Sequence, residues 1–432
     1  MISLPQGLAP FESDFPVRAA TRGPKHHFFG YYDKSCWDGS GRFLLCLEVD
    51  FIDRPPTADD AATVGVVDLD GDGQFRPLGQ THAWCWQQST MLHWLPVPHA
   101  TGHVAARDPQ PETPYVIHND RLEPGEEPER PSARGWDDPS DGGARFVAVV
   151  RDATTGAVAR TLPRPIYALS RDGRQAVTLN FARLQHQRPG YGYPGVTDPW
   201  RDVPEPEGDG IYWLDVETGE HRLILSLAQV AGLERGENFD GSVHRFNHLQ
   251  FAPDDQRFVF LHRWQTDPEA PRHHRMMTAR PDGSEIAVVA WHGAVSHFDW
   301  RDPDHILAWG HHRGIGDRYF VFRDRVAHQV EVLGEGILTE DGHCSYSPDG
   351  RWLLTDTYPR TEPYRTLILY DLAEDRRVDV GRFYSPPEIT GEFRCDLHPR
   401  WNRDGTQICF DSVHEGHRQL YVADVGQLVG HG

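Results

Sequence analysis

The chain is short of several things, and each shortage removes a class of function. Its 432 residues hold only six cysteines, Cys36, Cys46, Cys85, Cys344, Cys395 and Cys409, with no CxxC pair and no dense framework. A disulfide-built scaffold is excluded, and free thiols in a reducing compartment are expected. No apolar run approaches the ~18 residues of a membrane span. The opening MISLPQGLAPFESDF lacks the basic and apolar regions of a secretory leader. The expectation is a cytoplasmic protein, or a secreted one if a leader precedes this sequence, with no membrane partner. Positive charge is scarce: Asp and Glu number 64 against 43 Lys and Arg, a formal net charge of −21. Nucleic acid and acidic membranes are poor partners for such a surface, and a polyanionic substrate would need a locally positive site. There is no P-loop, no GxGxxG after a strand and no HExxH. No long stretch carries a helical period.

What is present is a repeat. An aromatic or apolar residue, a polar Asp/Gly turn and a β-rich run recur along the chain. The copies are Trp37-Asp38-Gly39, Trp94-Leu95-Pro96 in weak form, Leu169-Ser170-Arg171-Asp172-Gly173, Phe251-Ala252-Pro253-Asp254, Trp300-Arg301-Asp302, Tyr346-Ser347-Pro348-Asp349-Gly350 and Trp401-Asn402-Arg403-Asp404-Gly405. The last four lie roughly 50 residues apart, the spacing of propeller blades of four strands each. With 41 Gly, 34 Pro and 13 Trp, turns are plentiful and a sizeable core is available. The expected fold is all-β, a single seven-bladed β-propeller domain over residues 1–432. Its last blade is one strand short, and the stretch Glu12–Thr21 would close the ring. The absence of a GxSxG elbow argues against the peptidase domain that some propellers carry.

Two constellations carry chemistry. Residues 163–195 read as a hairpin, Ile166–Leu169 and Gln175–Leu184 joined at Asp172-Gly173, which sets Tyr167 and Arg183 at its open end. His93 and His118 take matching positions one blade earlier. The Gly/Pro/Tyr loop that follows, with Tyr191 and Tyr193, would cover the site with sugar-stacking rings. Lys34 in the first blade and Asn180 in LNFARL join these tyrosines as substrate-binding candidates. Three residues before the repeat aromatic stand His248, His297, His343 and His398. At the head of innermost strands they would converge as imidazoles able to hold a divalent metal such as Zn, Mn or Ca, with Gln250 and Asp299 as further oxygen ligands. A uronate bound without metal, or a polar channel lining, are the other readings of that ring. Tyr31 and Tyr32 read as packing.

The segments YYDKS, FIDRPPTADDAA, WQQSTMLHWLP, IHNDR, PRPIYALSRDG, LNFARL and RPGYGYPG resemble the seven-bladed propeller polysaccharide lyases. The likeness is to ulvan lyases and rhamnose–glucuronate lyases, and more distantly to oligogalacturonate lyases. It implies β-elimination at a glucuronate-type uronate to give an unsaturated end. It places the family's Tyr, Arg and two His on Tyr167, Arg183, His93 and His118, and puts a metal in the channel. Arg183 would neutralise the carboxylate, with His118 assisting. Tyr167 would act as both base and acid if the C5 proton and the leaving oxygen share a sugar face. His93 would be the base and Tyr167 the acid if they do not. The partner expected is an anionic oligosaccharide or polysaccharide, and the protein itself a monomer or weak homodimer. The competing readings are a non-catalytic binding propeller and a glycoside hydrolase, the latter drawing on Glu48, Asp50 and Asp299.

Overall fold

A computed structural model describes residues 7–71, 73–96, 115–136, 143–236, 238–267, 270–290, 295–326 and 329–430. These residues form seven antiparallel sheets arranged as a seven-bladed β-propeller, with few helices. The first five sheets are four-stranded meanders whose inner strands begin at His26, His93, Ala168, Val243 and Val295. The sixth gathers Ser345–Tyr346, Trp352–Asp356, Tyr364–Asp371 and Arg376–Tyr384, and takes Phe11–Glu12 at its edge. The seventh holds Arg400–Trp401, Gln407–Ser412 and Gln419–Asp424, with Val17–Ala19 paired antiparallel to the last of these. Among the described residues no helix is long and apolar enough to cross a membrane.

The repeat has a local physical cause. Its polar residue accepts the backbone N–H groups that the turn leaves free: Asp38 Oδ1 from Arg42 N (3.0 Å) and Phe43 N (2.9 Å), and Asn402 Oδ1 from Thr406 N (2.9 Å) and Gln407 N (3.0 Å). The glycine that follows, as at Gly173 (φ 70°) and Gly405 (φ 71°), takes a left-handed conformation that a side chain disfavours. The signature aromatics Trp37, Phe251, Trp300 and Trp401 are buried. Burying each large apolar side chain is worth ~1.5–3 kcal/mol.

One element departs from the expected hairpin. The second strand stops at Leu179, and Phe181–Gln187 is a helix. Asn180 is its N-cap, its side chain accepting from Arg183 N at 3.0 Å. The Asn180 amide also donates to Asp198 and Asp209, both at 2.9 Å. Asn180 is thereby a capping residue that ties down the 198–209 loop rather than a ligand for sugar.

Candidate functional site

The helix carries Arg183 away from the place the hairpin reading gave it. All its N–H groups are taken: Nε by His244 O (2.8 Å), Nη1 by Trp200 O (2.9 Å) and Asp198 (3.4 Å), Nη2 by Val203 O (3.0 Å) and Pro204 O (2.9 Å). Burial pushes its pKa down, against the pull of Asp198 and Asp209. It clamps a loop to the fourth sheet and has no fork left for a substrate carboxylate.

Tyr167 is fully buried. Its hydroxyl lies 2.8 Å from Gln88 Nε2 and 3.2 Å from Asn247 Oδ1, and accepts from His248 N at 3.0 Å. Burial drives the phenol well above its ordinary pKa, with Asp33 adding to the effect. These bonds hold His248, whose φ of 51° marks an irregularity in its strand. His93 faces the Tyr167 backbone and Lys34, and burial pushes it down to about 3. Lys34 stands 5.2 Å over the Tyr167 ring, its charge matched by Asp33 at 2.8 Å. His118 sits elsewhere: its Nδ1 donates to Asn119 O (2.8 Å) and its Nε2 accepts from Arg151 Nε (3.0 Å). The structure therefore joins Tyr167, His93 and Lys34, and separates Arg183 and His118 from them. Tyr193 is core, stacked on Phe181 at 4.4 Å and bonded to Asn119.

The four channel histidines do converge, around Tyr31. Ring centroids lie 5.0 Å from Tyr31 for His248, 6.3 Å for His297, 6.0 Å for His343 and 5.1 Å for His398. They are not equivalent. His343 and His398 join Asp396, all buried, with one ligand atom from each within 4.8 Å of the others. Both ring nitrogens of His398 are buried without a hydrogen-bond partner. Burial raises the Asp396 carboxyl, but Arg394 and Arg365 outweigh it and hold the group ionised. A mixed imidazole–carboxylate set, in which His398 is open, His343 Nδ1 is held by Asp356 (2.9 Å) and Asp396 also carries Arg394 (2.8 Å) and Arg365 (2.9 Å), has the donor chemistry for a divalent ion. His297 lies against His343 (4.1 Å between rings) but gives Nδ1 to Asp341 at 2.9 Å. His248 stands on the other side of Tyr31: Gln88 occupies its Nδ1 (3.2 Å), and its Nε2 is 3.5 Å from Tyr31 Oη. Gln250 and Asp299 bond each other at 2.8 Å, and Asp299 accepts from Tyr346 N. They form no part of the metal-type cluster. Asp396 is the ligand that the sequence reading missed; it lies two residues before His398, a D-x-H spacing on one strand approach.

A cavity of about 320 Å³ is lined among others by Tyr31, Tyr191, His248, His297, Tyr358 and Arg394; His343, Asp396 and His398 lie behind this lining, His343 against His297 and Asp396 against Arg394. Tyr191 Oη accepts from Arg394 Nη2 at 3.0 Å, and the Arg188 guanidinium lies 4.9 Å from its ring centroid. Burial raises the Tyr191 pKa, yet Arg394 and Arg188 outweigh it and the phenol falls below its ordinary value. The cation-activated tyrosine expected at Tyr167 and Arg183 is found at Tyr191 and Arg394. The carboxylates a hydrolase reading drew on do not line this cavity: Glu48 is held by Lys25 and His27, and Asp50 lies 3.6 Å from Lys25.

No protein-family model matches the chain, and no curated protein matches it in sequence. Solved structures do. The oligogalacturonate lyase of Vibrio parahaemolyticus superimposes with a TM-score of 0.61 at 15% identity, over 96% of each chain. An oligogalacturonate lyase in complex with manganese gives 0.60 at 16% identity, over 96% of this chain and 97% of that one. These likenesses establish the propeller fold across the chain.

Proposed function

We propose that this chain is a uronate lyase, cleaving an acidic oligosaccharide by β-elimination in the cavity over Tyr31. The observation that carries the reading is the pair Tyr191–Arg394. A phenol held 3.0 Å from a guanidinium, in a cavity that also presents an imidazole, is equipped to move a proton beside an anion. The likeness in fold to two oligogalacturonate lyases supports it.

Elimination removes the C5 proton of a uronate and expels the oxygen on C4. That proton becomes removable only when the carboxylate charge is offset. A divalent ion held by His343, Asp396 and His398 would supply that positive charge. Tyr191, its phenolate favoured by Arg394 and Arg188, takes the C5 proton; it is a stronger base than an imidazole that burial keeps well below its ordinary pKa. The C4–O bond breaks as the C5 carbanion collapses to the double bond; neutral His248, its Nδ1 engaged by Gln88, steadies the leaving oxygen by a hydrogen bond from Nε2, and that oxygen departs with the proton Tyr191 took from C5. Tyr167, Gln88 and Asn247 hold His248 in place and touch no substrate. Glucuronate as the particular uronate is the choice we carry forward, on the likeness to ulvan and rhamnose–glucuronate lyases. The pairing of Val17–Ala19 with the last sheet supports its reading as the strand that closes the ring. Six buried, unpaired cysteines support a cytoplasmic setting.

Incubation with glucuronate- and galacturonate-containing oligosaccharides tests the proposal. Ultraviolet-absorbing unsaturated ends are expected. Saturated ends would mean a hydrolase, and no change across the panel would leave a binding propeller.

A further inference from the structure

Among the described residues, three guanidiniums of this cavity have no carboxylate at ion-pair distance, although Arg188 lies over the Tyr191 ring and Glu392 acts on it from further off. They are Arg188, Arg263 and Arg272, which line it together with Arg394. The two carboxylates that share the lining are already engaged by histidines, Asp341 by His297 (2.9 Å) and Asp317 by His311 (2.7 Å). Arg394, by contrast, is paired with Asp396 at 2.8 Å.

The arrangement is built into one sheet. In the fourth blade Arg245 pairs directly with Arg263, and Arg263 with His274, across three adjacent strands. Directly opposed residues share a face, and like charges so placed destabilise a sheet. Arg263 and Arg245 are both buried, and Arg263 Nε, Arg245 Nε and Nη1 and His274 Nδ1 have no hydrogen-bond partner. Burial pushes Arg263 down to about 10, and Arg272 and Arg188 add to the strain. Leaving several buried cations unpaired is costly, so the row makes physical sense only with an anion seated on it. Lys25 and Lys34 are the sole lysines of the chain, so its positive charge is almost entirely guanidinium. That is the group whose planar fork grips carboxylate and sulfate with two bonds.

We infer that Arg188, Arg263 and Arg272 form a second anion subsite, which takes the carboxylate or sulfate substituent of the sugar adjoining the one that is cleaved. The inference rests on the uronate reading above for what occupies the rest of the cavity. It makes the substrate an oligosaccharide with acid groups on neighbouring sugars, not a lone uronate among neutral ones. Arg263 is the buried floor of the subsite, and Arg272, at the exposed edge, is its entrance.

Calorimetric titration separates this from the lyase reading. The probes are galacturonate, digalacturonate and a sulfated chondroitin disaccharide, with wild type, Arg272→Gln and Arg263→Gln. Wild type should bind at least one of the two doubly acidic probes ten-fold or more tighter than the monoacid, and which one identifies carboxylate or sulfate. Arg272→Gln, at an exposed position, should keep the fold and lose most of that preference while binding the monoacid unchanged; Arg263→Gln should abolish it. A preference equal in wild type and Arg272→Gln, or no preference in wild type, overturns the subsite. Preference without any unsaturated product would instead overturn the lyase reading and leave the subsite standing.

Discussion

The hydroxyl of Tyr191 and the guanidinium of Arg394 lie 3.0 Å apart, and they come from stretches more than two hundred residues distant in the chain. Tyr191 belongs to the loop after the helix Phe181–Gln187, and Arg394 to the segment entering the last blade. Closure of the ring brings them together, so the phenol is activated only in the folded propeller. Tyr191→Phe keeps the ring and its packing on His248 but loses the hydroxyl. Release of unsaturated product should fall ~10²–10⁴-fold, with thermal unfolding unchanged. Wild-type rate in that variant would assign the proton to another group.

The same pair sets a pH dependence. In the proposed mechanism the base is the phenolate, and although burial raises its pKa, Arg394 and Arg188 hold it below the ordinary tyrosine value of ~10. The rate constant kcat/KM should therefore rise with pH along a limb centred below that value. In Tyr191→Phe the residual activity should lose that limb. A profile of the same shape in both proteins would remove Tyr191 as the titrating base.

The propeller was legible in the sequence because its repeat is local: an Asp or Asn that caps its own turn leaves a mark every blade. The histidine ring was legible for the same reason, since His248, His297, His343 and His398 keep one offset from each repeat. The hairpin around Asp172-Gly173 formed, but its second strand stops at Leu179 instead of running to Leu184. Asn180 is a good helix N-cap, and the run after it, FARLQHQ, satisfies its backbone within a helix instead of pairing with the first strand. Once Arg183 turned inward, the matched rim of Tyr167, Arg183, His93 and His118 came apart. The Arg263–His274 row was invisible because it depends on which residues face each other across strands, and spacing along the chain does not encode that.

Arg183 offers a direct test of this correction. It satisfies four backbone carbonyls, of Trp200, Val203, Pro204 and His244, beside the buried Asp198. Arg183→Met leaves them and the carboxylate unpaired, so unfolding free energy should drop by ~3–5 kcal/mol. Activity per folded molecule should hold below the midpoint. A variant as stable as wild type but inactive would return Arg183 to the active site.

The metal-type cluster gives its own measurement. Elemental analysis of purified protein should find one divalent ion per chain, and Asp396→Asn and His398→Gln should each lower its affinity sharply. His297→Gln should alter it little, because His297 is committed to Asp341. Full occupancy in all three variants would place the ion elsewhere.

Acid should loosen this fold through its buried imidazoles. His118 is held neutral, donating from Nδ1 and accepting at Nε2 from Arg151, so a proton on Nε2 would displace that bond and set two cations together. Burial first, then Arg151, pushes its pKa down to about 4 from 6.5, with Asp120 opposing. Below pH 6.5 the unfolded chain binds a proton that the folded chain refuses until about pH 4. Stability must therefore fall as pH drops through that window, by up to roughly 1.4 kcal/mol per unit for each such group. Burial takes His244 down to about 4 against the pull of Glu205, and takes His26 to about 4 as well, so both add to the slope. In His118→Gln one of these proton sinks is gone. Its urea midpoint, measured at pH 7, 5.5 and 4.5, should start lower than that of wild type and decline less steeply. Parallel declines would show that His118 titrates alike in the folded and unfolded chain.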